Sequence, residues 1–206
     1  MTVKNKEILE LNQPLNITTD RPPFRYDLEF QNYTENEEIS RRVYRGNKID
    51  LNSYNAIKFY SKQPQSRLIK WDVLRAFSML SFIVNEKVKL VFEQLCPQNV
   101  QFLPIIIEGK GEKAGVYENH DYYIVNILSV LDILREDVII DGADFKSYPY
   151  LRGLEAFQGS MIAIERRRKS HIFFHPTLAK ALAKFKGINF LTEEENAMLN
   201  RFKKEN

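Results

Sequence analysis

The stretch SFIVNEKVKLVFEQLCPQNVQFLPIII (residues 81–107) decides the fold class. Ser81-Phe82-Ile83-Val84 is a short apolar run ending at Asn85. Asparagine caps helices well, because its side-chain oxygen accepts from an otherwise orphaned N–H of the first turn. Val88, Val91, Phe92 and Leu95 then recur at i, i+3, i+4 and i+7, the spacing of a helix with one apolar face. Pro97 stops that helix, since proline has no N–H to donate. Val100 to Ile107 follows as a strand, with Pro104 marking a bulge or an edge.

The same order returns near the C-terminus. Ile172-Phe173-Phe174 reads as a strand, His175 sits at the cap and Pro176 takes the favoured first helical position. Leu178, Ala181, Leu182 and Phe185 repeat the apolar stripe, and Gly187 is expected to end the helix at C′. Phe82 aligns with Ile172, Val88 with Leu178, and Leu95 with Phe185. After a shortened turn, Val100 to Leu103 matches the extended run Ile188 to Leu191. This is either an internal duplication or two ordinary strand–helix–strand units.

Further strands are read at Tyr122 to Ile127, Val138 to Ile140 and Met161 to Ile164, which makes Glu108 to Asp121 a long hairpin loop. Upstream, Phe24 to Phe30 alternates apolar and polar residues, and Ile57 to Tyr60 is a short strand closed by the turn signal Lys62 to Ser66. Tyr33 to Ser40 is polar and acidic, a loop or a frayed helix. The mixed order predicts an α+β fold with mostly antiparallel sheets. Residues 1–64 are expected to form an N-terminal extension or small subdomain, and residues 65–206 the main domain.

With 206 residues, 44% of them hydrophobic and 12% aromatic, the chain can bury a core without cross-links. Cys96 is the only cysteine, which excludes an intramolecular disulfide and suits a reducing compartment. The first residues carry Lys4, Lys6, Glu7 and Glu10 and lack the apolar segment of a secretory signal. Apolar runs are far shorter than the roughly 20 residues of a membrane helix. A cytoplasmic protein without a membrane partner is expected. The net charge is +3, and from Arg152 onward eleven Lys and Arg stand against six Asp and Glu. That excess admits an acidic partner, although a charge run ordinarily reports a solvated face.

Chemical motifs fail their context tests. On a strand at about 3.3 Å per residue, His171 and His175 lie roughly 13 Å apart, too far to share one zinc. Gly109 to Gly115 follows a strand but opens no helix, so it lacks the N–H groups that cradle phosphate. Gly159-Ser160-Met161 lacks the second glycine of a nucleophile elbow. Asp132, Glu136, Asp137, Asp141 and Asp144 suit turns and solvation better than paired acid–base work. No catalytic, cofactor or metal residues are assigned, and the expected role is non-enzymatic.

Arg166-Arg167-Arg168-Lys169 is the sharpest charge feature: a basic hairpin tip able to meet phosphates or a carboxylate-rich surface, against the plainer alternative of a solvated turn.

Taken in order, the capped helix Val84 to Leu95, the Val100 to Ile105 run, Tyr122 to Ile127 leading to Leu131-Asp132, and the Ile172 to Phe190 unit resemble a bacterial family of immunity proteins from polymorphic toxin systems. The resemblance runs over roughly residues 80–190. It implies a non-enzymatic module that binds and blocks a cognate toxin protein, using a few anchor residues on a complementary surface. Contact candidates under that implication are Tyr117, Tyr148 and Tyr150 in loops and the tip Arg166, Arg167, Arg168 and Lys169. The competing classes are a nucleic-acid-associated protein using the basic C-terminal third and an uncharacterised enzyme.

Overall fold

The computed structural model describes residues 9–11, 28–30, 33–74, 81–141, 144–145 and 149–195. In chain order the strands are β1 (Leu9–Leu11), β2 (Leu28–Phe30), β3 (Ile57–Ser61), β4 (Val73–Leu74), β5 (Ile83–Asn85), β6 (Val100–Gly109), β7 (Glu118–Asn119), β8 (Tyr122–Ile127), β9 (Val130–Leu131), β10 (Ile140–Asp141), β11 (Asp144–Phe145), β12 (Ile162–Glu165), β13 (Ile172–Phe174) and β14 (Phe190–Thr192). The helices are α1 (Tyr33–Tyr44), α2 (Gln65–Leu68), α3 (Glu86–Leu95) and α4 (Pro176–Leu182). The fold is α+β. A seven-stranded sheet runs β2-β3-β6-β8-β5-β4 with β7 beside β6, a five-stranded sheet runs β14-β1-β13-β12-β9, and β10 pairs with β11. Among the described residues only the pairs β3–β6 and β9–β12 are parallel.

Strand alternation sorts the apolar side chains into layers. Val84, Val125 and Ile127 of the larger sheet meet Ile162, Ile164, Ile172 and Phe174 of the smaller one in a core filled by Val88 and Phe92 of α3 and Leu178 and Leu182 of α4. The other face of the larger sheet, with Leu103, Ile105, Ile107 and Ile124, packs under Val43 of α1 and Leu68 of α2. The other face of the smaller sheet presents Ala163 and Phe173 to Ile133, Leu134, Val138, Tyr150 and Phe157. A line of rings crosses the central layer: Phe190–Phe174 at 4.9 Å, Phe174–Phe82 at 6.1 Å, Phe82–Phe92 at 6.0 Å and Phe92–Phe102 at 6.1 Å between centroids.

The deciding stretch folds as read. Asn85 Oδ1 accepts from Val88 N–H at 3.2 Å and opens α3. Its partner unit has the same plan. The hairpins β4–β5 and β12–β13 each lead through a helix to a return strand, β6 or β14. In each unit the second hairpin strand and the return strand flank a third strand antiparallel to both, β8 in one sheet and β1 in the other.

Four local readings need correction. Tyr33 to Tyr44 is a regular helix, because Val43 and Ile39 pack inward and Glu37 pairs with Arg41 one turn on at 2.6 Å. Of Val138 to Ile140 only Ile140 enters a strand; the Val138 carbonyl accepts from the Arg167 guanidinium at 3.4 Å, outside any ladder. The loop after β6 carries a further strand, β7, against Ile107 and Glu108. Gly187 lies past the end of α4, whose C-cap is Ala183. Its φ of +98° suits glycine, and a Cβ at this position would overlap the Val73 carbonyl oxygen, so no side chain fits there. The stretch 24–27 of the alternating Phe24 to Phe30 run lies outside the described residues.

His175 caps α4 through Nδ1, which accepts from Thr177 N–H at 3.3 Å. Burial beside Phe157 holds its pKa below the usual 6.5. The unfolded chain therefore binds the proton more readily, and the cap contributes stability above about pH 6.5 that is lost as pH falls through the lower folded value. An imidazolium also cannot accept the Thr177 N–H. His175→Asn keeps an acceptor that does not titrate. The wild type should lose about 1 kcal/mol relative to that variant between pH 7.5 and 5 in urea titrations. An unchanged difference would remove the cap from the pH response.

Candidate partner-binding surface

The alternation of β12 turns Ile162 and Ile164 to the central core and Ala163 and Glu165 to the outer one. Glu165 is fully buried there. Its Oε2 accepts from Ile133 N–H and Leu134 N–H, both at 2.9 Å, and its Oε1 accepts from Arg167 N–H at 3.0 Å. Such a carboxylate is tolerated because its lone pairs meet fixed donors.

Arg167 completes the arrangement from the other side. Its guanidinium lies 3.8 Å from Glu165 and donates to the main-chain carbonyls of Arg135 (2.5 Å), Glu136 (3.2 Å) and Val138 (3.4 Å). The two residues thus clamp segment 133–138 by its N–H groups at one end and its carbonyls at the other.

Around the clamp the charges are matched. Arg166 pairs with Asp132 at 3.3 Å and donates to the Val130 carbonyl, Arg135 holds Asp137 through two bonds of 3.0 and 2.7 Å, and Arg152 reaches Glu136 at 2.8 Å. The bidentate Arg135 holds the Asp137 carboxyl below the usual carboxylate range. Arg168 and Lys169 are left without an acidic partner among these pairs, and Arg168 Nε is buried with no hydrogen bond. Next to the clamped carbonyls, Ile139 is 62% exposed. A rigid segment thus presents one apolar side chain beside a lattice of paired charges.

Elsewhere the described residues offer little chemistry. An open depression of about 450 Å³ is lined by Arg42, Lys48 and Gln101, but both amide atoms of Gln101 are engaged by Ile49. Burial pushes the Cys96 thiol up to about 12, far from a thiolate. Among the described residues no three His, Cys, Asp or Glu converge as metal ligands, and no helix is long and apolar enough to cross a membrane.

The model of the Imm11 immunity protein family matches residues 11–182. The chain belongs to the Imm11 family. Comparison with curated proteins yields no match. The Imm11 match takes in more of the N-terminal sequence than the 80–190 stretch on which the resemblance rested, and it stops at Leu182, the last residue of α4.

Against this Imm11 framework the contact candidates divide. Arg166, Arg167, Arg168 and Lys169 do form the tip between β12 and β13, but Arg167 is spent inside the molecule. Tyr117 is half-buried and donates to the Gln63 carbonyl at 2.9 Å. Tyr150, expected in an exposed loop, is 2% exposed: its ring joins the outer core, and Glu193 accepts from its main-chain N–H. Tyr148 lies outside the described residues. Sequence reasoning missed Glu165, which looks like part of the charged run it precedes, and Ile139, which looks like one more strand residue. The available signal was period 2: Ile162, Ala163, Ile164 and Glu165 place the carboxylate on a buried face.

Proposed function

We propose that this Imm11 protein acts in the cytoplasm of the producing cell by binding a cognate toxin protein and occluding it, without chemistry of its own. Family membership carries the reading. The proposed contact face is the end of the smaller sheet, with Ile139 as the apolar anchor and Arg166 and Lys169 at its rim. A preorganised anchor loses little freedom on binding, and apolar anchors ringed by polar groups dominate many interfaces. With Arg166 and Arg167 already engaged within the molecule, few cations of the tip are left for phosphates, which favours a protein over nucleic acid.

The test begins with capture from the native host at moderate salt with nuclease present. A captured protein that arrests growth when expressed alone, and is relieved by co-expression of this chain, supports the role. Ile139→Asp should then weaken binding to that protein at least tenfold, about 1.4 kcal/mol, while leaving the urea midpoint unchanged. Wild-type affinity in the variant would move the contact face elsewhere and leave the role standing. Recovery of only nucleic-acid-dependent partners would end the immunity reading for this chain.

A further inference from the structure

β1 lies between β13 and β14, with Glu10 opposite Phe173 on one side and Leu191 on the other. The walls of that slot are held without it. β13 pairs along β12, and the Phe190 ring meets Phe174 edge-on at 4.9 Å. Glu193 accepts from Leu151 N–H at 2.8 Å, and Asp72 accepts from Lys186 N–H at 2.9 Å. The slot therefore belongs to the C-terminal unit, and the strand within it comes from the opposite end of the chain. In the larger sheet the equivalent strand is β8, the hairpin neighbour of β6, so that position is filled locally.

Two properties make the β1 position exchangeable. A strand held between two antiparallel neighbours is recognised chiefly by main-chain hydrogen bonds, which any copy of the same segment supplies equally. Residues 12–27 connect it to β2, a chain that spans up to about 55 Å, more than the roughly 45 Å across a domain of this length. We infer that the β13–β14 slot is an interaction surface for the β1 segment of a second copy, and that two chains trade residues 9–11 to form a reciprocal dimer. Such exchange reuses contacts already present in the monomer, so concentration decides between the forms.

The test uses the full chain with Cys96→Ser, Glu10→Cys and Leu191→Cys, since opposed antiparallel positions lie within disulfide range. It is oxidised at micromolar concentration, and again after incubation near millimolar, then read on a non-reducing denaturing gel. The expected result is a linked monomer at low concentration and a linked dimer that grows at least fivefold at high concentration, beyond the dimer of either single-cysteine chain. A linked monomer throughout would assign the slot permanently to the chain's own strand and overturn the inference. Absence of any link would remove β1 from the slot altogether. Light scattering on the unmodified protein after the same incubation gives an independent reading: a pure monomer near millimolar refutes exchange.

Discussion

Glu165→Ala should lower the free energy of unfolding by about 3–5 kcal/mol, the cost of removing one partner from a buried charged arrangement. The main-chain N–H groups of Ile133, Leu134 and Arg167 lose their acceptor, and the Arg167 guanidinium loses the anion beside it. Each orphaned buried donor costs about 1–3 kcal/mol, and partial relaxation keeps the sum below their total. Against a typical stability of about 5–15 kcal/mol the variant stands close to unfolding. Equilibrium urea unfolding measures the loss, and hydrogen exchange at Ile133 and Leu134 localises it. Glu165→Gln keeps one carbonyl oxygen and should fall between the two. A shift under about 1 kcal/mol in the alanine variant would mean that segment 133–138 is held by something other than the carboxylate.

The second large effect is expected at Phe174. Its ring is fully buried and touches Phe82 from the central layer and Phe190 from β14. Phe174→Ala removes the link between the aromatic line and the outer strand, with an expected cost of about 3–5 kcal/mol from lost transfer energy and the residual cavity. For a chain of this size that corresponds to a fall in Tm of about 6–20 °C. Phe174→Leu should cost markedly less, because it leaves a smaller cavity. Equal losses in both variants would point to the geometry of β13, with ring volume irrelevant. Calorimetry on the pair decides between these.

What the sequence disclosed followed from locality. Asn85 and His175 are caps whose partners lie two or three residues away, and the stripe Val88–Leu95 is complete within α3, whereas the second stripe runs past the end of α4 and leaves Phe185 beyond it. Helix α1 was ambiguous because its polar first half gives no stripe, and Val43, which anchors it, lies past the acidic residues. The position of β1 was not legible at all. Three residues carry too little pattern to specify neighbours at the far end of the chain, and pairing of that range is settled only by the assembled sheet. The contact face shows the same divide. The Arg166–Lys169 tip is visible as charge in the sequence, yet whether each cation is free or engaged depends on carbonyls contributed by residues 130–138.

The two strand–helix–strand units also differ in when they can close. A ribosome delivers the chain N-terminus first, at about 5–20 residues per second. The unit around α3 receives β8 soon after β6 and can finish while synthesis continues. The unit around α4 is the reverse: its middle strand is made long before both of the strands that flank it. Leu9–Leu11 cannot take its place in the smaller sheet until β13 and β14 have been made. Completion of the smaller sheet therefore waits on residues 190–192, although its middle strand is made long before them.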